Sequence, residues 1–175
     1  MQEARAIIQD IEKAKIAVEA AGAMYKGNYK FQDIIFKEND SDDDILRMRI
    51  YIKSNWPTRK VSVIRKKTEF NGLIQKNKVI LKLEFESESE ALEFMSKKIA
   101  KSLIMKAEYV REGWEYQLKS ARIFIEDIKG WKPTVEIEAE TAADIENIFD
   151  KIEVIKRLHE SVPEIMCRLQ ERNNN

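Results

Sequence analysis

The strongest constraint on this chain is a repeated two-residue alternation in which one strand face is apolar and the other carries charge. From Ile45 to Lys53, the residues Leu46, Met48, Ile50 and Ile52 share one face, while Arg47, Arg49, Tyr51 and Lys53 share the other. Val79 to Glu86 repeats the pattern, with Val79, Leu81, Leu83 and Phe85 opposing Lys82, Glu84 and Glu86. Thr134 to Glu140 does so again, with Val135, Ile137 and Ala139 opposing Glu136, Glu138 and Glu140. Such segments predict antiparallel sheet with one face on a core. Residues two apart on a strand lie ~6.6–6.8 Å apart on the same side. Arg47 with Arg49, and Glu136 with Glu138, therefore repel unless water or a counter-charge answers them. One outcome is a solvated face of cross-strand ion pairs. The other is an inward face that holds a polyanion and its metal ions. Arginine and lysine would then grip phosphate, and glutamate would hold a hard cation through oxygen.

Counting removes several chemistries. Lys plus Arg number 31 and Asp plus Glu number 31, so the chain lacks the basic excess of a nucleic-acid binder. The single cysteine, Cys167, excludes an internal disulfide and a Cys-rich zinc site, and the single histidine, His159, excludes His-rich metal sites. Neither a P-loop nor a GxGxxG sequence occurs among the 5 glycines. The N-terminal stretch carries charge throughout, unlike a signal peptide, and no apolar run approaches the ~18 residues of a membrane span. The expectation is a cytoplasmic protein with no nucleic-acid or membrane partner. At 175 residues and 43% hydrophobic content, one domain with a packed core is expected.

The elements follow from local signals. Gln2–Gln9 reads as a strand, then a helix from Ile11 with Asp10 as N-cap and Gly22 as its stop. Strands are predicted at Tyr29–Phe36, Ile45–Lys53 and Val61–Phe70, the last closed by the hairpin signal Asn71-Gly72 and followed by Val79–Glu86. Ser87 with Glu90 predicts a capping box for a second helix whose stripe is Leu92, Met95, Ile99 and Leu103. Further strands are expected at Met105–Arg111, Trp114–Ser120, Arg122–Ile128 and Thr134–Glu140. A helix is expected over Thr141–Leu158 and a short one capped by Ser161 and Glu164. The class is α+β, with about eight antiparallel strands in a barrel or strongly curved sheet.

Several short motifs, taken in order, resemble the CYTH family, or triphosphate tunnel metalloenzymes, over roughly Met1 to Ile155. They are Gly22-Ala23, Asp33-Ile34-Ile35-Phe36, Leu46-Arg47-Met48-Arg49, Lys82-x-Glu84-x-Glu86, Arg111 with Trp114, and Glu136-Ile137-Glu138 after Gly130. That family includes class IV adenylyl cyclases, thiamine triphosphatases and inorganic triphosphatases. The resemblance implies an eight-stranded antiparallel β-barrel, the triphosphate tunnel, with flanking helices. It divides the chain into a tunnel domain, 1–158, and a C-terminal helix with a frayed tail, 159–175.

The resemblance also implies a metal-dependent enzyme, a triphosphatase or adenylyl cyclase, acting on ATP, thiamine triphosphate or inorganic triphosphate with Mg²⁺ or Mn²⁺. Matching basic positions for the triphosphate are Arg5, Arg47, Arg49, Arg65, Lys67, Lys82 and Arg111. Matching acidic positions for metal are Glu3, Glu84, Glu126, Glu136 and Glu138. The family's opening Glu-x-Glu-x-Lys aligns with Met1-Gln2-Glu3-Ala4-Arg5, so its first Glu falls on Met1 and its Lys is Arg5. The family's Lys-x-Arg becomes Tyr109-x-Arg111, an Arg becomes Lys82, and an Asp becomes Glu126. These departures keep two alternatives open: a non-catalytic nucleotide or polyphosphate receptor, and an interaction module that dimerises through the helices after Thr141. A homodimer is compatible with each. Elsewhere, Asp40-x-Asp42-x-Asp44 fails as an EF-hand loop, because Ile45 stands where Gly is required. His159, Cys167, Trp56, Trp114 and Trp131 read as surface or packing residues.

Overall fold

A computed structural model describes residues 1–37, 45–53, 60–99 and 103–173. The described residues form nine strands and four helices. These are β1 (Gln2–Ile8), α1 (Ile11–Ala20), β2 (Met24–Lys37), β3 (Ile45–Lys53), β4 (Val61–Asn71), β5 (Ile74–Phe85) and α2 (Glu88–Phe94), which runs into a π-helical turn over Met95–Ile99. They continue with β6 (Ile104–Leu118), β7 (Ala121–Ile128), β8 (Thr134–Ala139), α3 (Ala142–Phe149), β9 (Val154–Arg157) and α4 (Val162–Asn173). The hydrogen-bonded strand order is β5-β4-β3-β2-β6-β7-β8-β1-β9, and β5 also pairs with β1 at Gln75 and Glu3. Eight antiparallel strands therefore close into a barrel, with β9 added beside β1 and helices flanking. The expected acidic loop, 38–44, and Trp56 lie outside the described residues, as do Asn174 and Asn175.

Two compact packing units share the chain. The first comprises Met1–Tyr29, Glu69–Lys76 and Arg111–His159; the second comprises Lys30–Thr68, Asn77–Val110 and Glu160–Asn175. In the first, the strands put one face on α1 and α3. Ala4, Ala6 and Ile8 of β1, Ile123 and Ile125 of β7, and Val135, Ile137 and Ala139 of β8 pack with Val18, Ile145 and Phe149. Alanines on β1 let the helices approach the sheet closely. Asp10 caps α1 by accepting the Lys13 N–H at 3.0 Å, and Gly22 ends that helix in the left-handed region, at φ +91°. In the second unit, Ile34, Phe36, Leu46, Met48, Val61 and Val63 pack with Ala91 and Met95. The Ser87 half of the predicted capping box forms there, while Glu90 reaches one residue further back than the cap. Ser87 Oγ accepts the Glu90 N–H at 3.3 Å, and the Glu90 carboxylate accepts the Glu86 N–H at 3.1 Å.

Two sequence expectations are corrected. The segments Met105–Arg111 and Trp114–Ser120 are not separate strands but one, β6, of 15 residues. Gly113 reads as a break, yet it continues the strand at a place where the Tyr29 ring lies on the backbone. A Cβ built at Gly113 would overlap Tyr29 Cζ and its hydroxyl oxygen. The helix expected over Thr141–Leu158 stops at Phe149, and Val154–Arg157 becomes β9 instead. The reason is an available strand edge: Ala6, Ile7 and Ile8 of β1 pair with Arg157, Lys156 and Val154, and the Leu158 N–H reaches the Arg5 carbonyl at 2.9 Å. Backbone pairing of β-branched residues outweighs a weak helical pattern here. β2 and β5 also begin earlier than expected, at Met24 and Ile74.

Gly113→Ala should destabilise the chain by about 1–3 kcal/mol, the range for forcing atoms into a packed site. The change is to be read from the urea unfolding midpoint. An unaltered midpoint would mean that Tyr29 has room to move.

Candidate functional site

The face of the first unit turned away from α1 and α3 is charged, and the register shows why. Glu3 and Arg5 of β1 stand opposite Glu138 and Glu136 of β8; Arg122 and Glu126 of β7 stand opposite Glu138 and Thr134. Glu126 in turn is opposite Gly113 of β6, two residues from Arg111. Period-two geometry thus gathers Glu3, Arg5, Arg111, Arg122, Glu126, Thr134, Glu136 and Glu138 on one face.

At its centre is a buried hub. Glu126 is 3% exposed, and Arg5 and Arg111 are 6% and 5% exposed. Arg5 donates Nη1 to Glu126 Oε2 and to Thr134 Oγ1, the latter at 2.8 Å, and donates Nη2 to Glu136 Oε2. Arg111 Nη1 donates to both Glu126 oxygens at 3.2 Å, and the Tyr29 hydroxyl donates to Oε1 at 2.6 Å. Burial by itself would raise the Glu126 carboxyl, but Arg111, Arg5 and the Tyr29 hydroxyl outweigh it and hold it well below the usual carboxylate range. Burial and the Glu126 charge together push the Tyr29 phenol well above its ordinary value. Three donor side chains thus share one carboxylate.

Beside the hub lies an acidic trio. One carboxylate oxygen each from Glu3, Glu136 and Glu138 lies within 4.8 Å of the others. Burial, then the neighbouring Glu136 charge, raises the Glu138 carboxyl against the pull of Arg122. Arg122 bridges Glu138 at 3.0 Å and Glu115 at 3.1 Å. A carboxylate has two oxygens, so an arginine on one leaves its chemistry open to a cation at the other. Three oxygen donors this close suit a hard divalent ion.

The second unit has its own charged face, opposite the cluster around Met48. Register places Phe31, Asp33 and Ile35 of β2 with Tyr51, Arg49 and Arg47 of β3, and with Ser62 and Ile64 of β4. Asp33 is fully buried and accepts a fork from Arg49, Nε at 2.7 Å and Nη2 at 2.9 Å, while Arg47 Nη1 lies 3.8 Å away. The Arg49 guanidinium lies over the Phe31 ring at 4.2 Å.

Of the predicted residues, the structure therefore gathers Glu3, Arg5, Arg111, Glu126, Glu136 and Glu138 in the first unit, and Arg47 and Arg49 in the second. Glu126 does not join the acidic trio; it is the counter-ion of Arg5 and Arg111. Arg65 lies opposite Leu46, on the helix-packed face, with Lys67 two residues on and exposed, and Lys66 takes the place opposite Ile45. Lys82 and Glu84 are exposed on β5. His159 is exposed after β9. Cys167 is buried in α4, where burial pushes its thiol up to about 11. Trp114 packs beneath the Lys15 ammonium, 3.6 Å from the ring centre. Sequence reasoning gave no role to Tyr29, Asp33, Thr134 or Arg122. Thr134 and Arg122 share the parity of Glu136 and Glu126, a legible signal, whereas Tyr29 reaches Glu126 across 97 residues.

No protein-family model matches the chain, and no curated protein does. Solved structures do. The PH1819 protein of Pyrococcus horikoshii is similar over 98% of each chain at 18% identity, with a TM-score of 0.71. A Vibrio parahaemolyticus protein provisionally assigned as an adenylate cyclase is similar over 94% of this chain and 96% of its own, at 12% identity and a TM-score of 0.65. Hippeastrum HpAC1, whose dominant activity is a triphosphatase, is similar over 85% of this chain and 84% of its own, at 10% identity and a TM-score of 0.60. At these identities the likeness is one of fold. That fold is the CYTH-type antiparallel barrel.

Glu126→Gln should cost about 3–5 kcal/mol, because it leaves two buried guanidinium groups short of a counter-charge. A carboxyl held below its unfolded value of about 4.3 stabilises the fold above that pH, and the contribution is lost as pH falls through the lower, folded value. The stability gap between wild type and variant, measured by urea unfolding, should therefore be full at pH 7 and shrink below about pH 4. A gap independent of pH would remove Glu126 as an ionised hub.

Proposed function

We propose that the chain is a metal-dependent triphosphatase that uses the charged inner face of its strands. The observation that carries this reading is the convergence of Arg5 and Arg111 with the carboxylates of Glu3, Glu136 and Glu138 on one face of one unit. Solvated surface sheets alternate charge at the rim, and do not bury arginine and glutamate to a few per cent exposure. The CYTH-type fold and the triphosphatase activity of Hippeastrum HpAC1 support the same reading.

Glu3, Glu136 and Glu138 would hold Mg²⁺ or Mn²⁺, and the ion would neutralise charge on the phosphates when bound. Arg5, fixed by Glu126 and Thr134, keeps its guanidinium in one orientation beside Glu136 and so presents a preset cation to phosphate oxygen. Arg111 is held alongside by the same carboxylate. In the second unit, Arg47 and Arg49 are phosphate contacts in their own right, with Asp33 fixing the Arg49 fork. Glu138, raised by burial and by Glu136, gains from a cation and loses from its absence, so ion and triphosphate should bind cooperatively.

A panel of ATP, thiamine triphosphate and inorganic triphosphate with Mg²⁺ or Mn²⁺ tests the reading, with products resolved so that cyclic AMP and ADP are distinguished. Phosphate release is expected. Cyclic AMP without phosphate release would replace hydrolase by cyclase. Triphosphate binding without turnover would make the chain a receptor, in line with Met1 at the family's first Glu position.

The double variant Glu136→Gln, Glu138→Gln should lose Mg²⁺-dependent turnover while metal-free triphosphate binding survives or tightens, since nearby negative charge is removed. Unchanged turnover would rule this pair out as ligands. Arg47→Ala leaves Asp33 its Arg49 fork, so the fold should hold. Triphosphate binding by calorimetry should weaken by about 1.5–3 kcal/mol, the scale of a charged hydrogen bond. Wild-type affinity would take Arg47 out of the binding set.

A further inference from the structure

We infer that Arg122 competes with the divalent ion for Glu138, holding that carboxylate in the metal-free protein and passing to Glu115 when the ion binds. The inference rests on the reading of Glu3, Glu136 and Glu138 as the metal ligands. Arg122 lies on β7 between β6 and β8. On one side it stands directly opposite Glu138, and on the other it faces Gln117, two residues from Glu115. Period two puts Glu115 and Glu138 on the same charged face as Arg122. The guanidinium spans them, donating Nη1 to Glu138 Oε2 at 3.0 Å and Nε to Glu115 Oε1 at 3.1 Å. One arginine thus holds one carboxylate inside the acidic trio and one outside it.

Two arginines touch the trio, and burial separates their roles. Arg5, which bonds Glu136, has a side chain only 6% exposed and is fixed by Glu126 and Thr134 as well. The Arg122 side chain is 33% exposed, and its guanidinium lies over the Phe124 ring, 4.7 Å from the ring centre. It can therefore turn on that ring without crossing a packed interior. Arg5 is a permanent neighbour of the trio, and Arg122 is an exchangeable one.

The guanidinium offers Glu138 one charge through a hydrogen bond, whereas a divalent ion offers two and bonds carboxylate oxygen directly. With both on one carboxylate, like charges would stand side by side. Releasing an arginine from a partly buried pair ordinarily leaves its charge uncompensated, which is costly. Glu115 removes most of that cost, because Arg122 keeps this second ion pair throughout the exchange. No proton moves: the ion takes the Glu138 carboxylate and the guanidinium shifts wholly onto Glu115. The affinity for the ion is thereby held below what three carboxylates alone would give.

Titration of the full chain with Mn²⁺, followed by the electron paramagnetic resonance of the free ion, tests this without any turnover. The site counted is the one that the double variant Glu136→Gln, Glu138→Gln abolishes. Arg122→Gln removes the competing cation and should tighten Mn²⁺ binding about tenfold. Glu115→Gln removes the second partner, keeps Arg122 on Glu138, and should weaken binding about fivefold. In the double variant Arg122→Gln, Glu115→Gln the second effect should vanish, leaving the affinity of Arg122→Gln alone. A general field of negative charge would act from Glu115 with or without Arg122, so additive effects would overturn the inference. Equal affinity in wild type and Arg122→Gln would do the same. Mn²⁺ binding by Arg122→Gln and not by wild type would support it. Matching thermal midpoints would show the variants folded. Glu115→Gln leaves Arg122 on Glu138, so unchanged affinity in that variant overturns the inference even where Arg122→Gln does not fold. If none of the proteins binds Mn²⁺ at this site, the metal reading itself fails and the inference falls with it.

Discussion

The structure of the first unit depends on one carboxylate. Glu126 lies where three strands bring Arg5, Arg111 and Thr134 together, and it is held by two guanidinium groups and a phenol. A lone buried arginine is untenable in a low-dielectric interior, and two are worse. Glu126 answers both guanidinium groups, and Glu136 bonds Arg5 through one of its two oxygens. The hub orders the site in that sense: it makes Glu126 a counter-ion and leaves Glu136 beside Glu3 and Glu138.

Much of this was legible in the sequence because charge and parity are legible. Alternation from Leu46 to Lys53 correctly assigns Leu46 and Met48 to the helix-packed face and Arg47 and Arg49 to the opposite one. Glu136 and Glu138, with Val135 and Ile137 between and beside them, identify the charged face of β8 in the same way. What parity cannot supply is the pairing of distant strands. It could not distinguish Arg65 from Lys66 as the residue sharing the Arg47 face, since a single step in register exchanges them.

The misread elements have a common cause. Gly113 punctuates a sequence, but in the folded chain it is the floor on which the Tyr29 ring rests, a fact contributed by a residue of another strand. Val154 to Arg157 has enough helical character to extend α3, but β1 offers an open edge. In both, a long-range partner overrides a local preference. Glu126 follows the same logic at the level of chemistry. The family resemblance implied a metal ligand there, and only the spatial nearness of Arg5 and Arg111 makes it a counter-ion.

The position of Arg5 in the chain has a consequence for how the protein is made. Its side-chain partners Glu126, Thr134 and Glu136 follow it by 121, 129 and 131 residues, and its carbonyl accepts from Leu158. During synthesis the guanidinium is made 121 residues before the first of its counter-charges. β1 therefore cannot settle early, and its sheet is completed by contacts of high sequence separation, which close slowly. At elongation rates of about 5–20 residues per second, that leaves β1 waiting roughly 6–24 seconds with an unmatched charge and an unfilled edge. The arginine that leaves this strand unmatched is the same one that locks it once Glu126, Thr134 and Glu136 have been made.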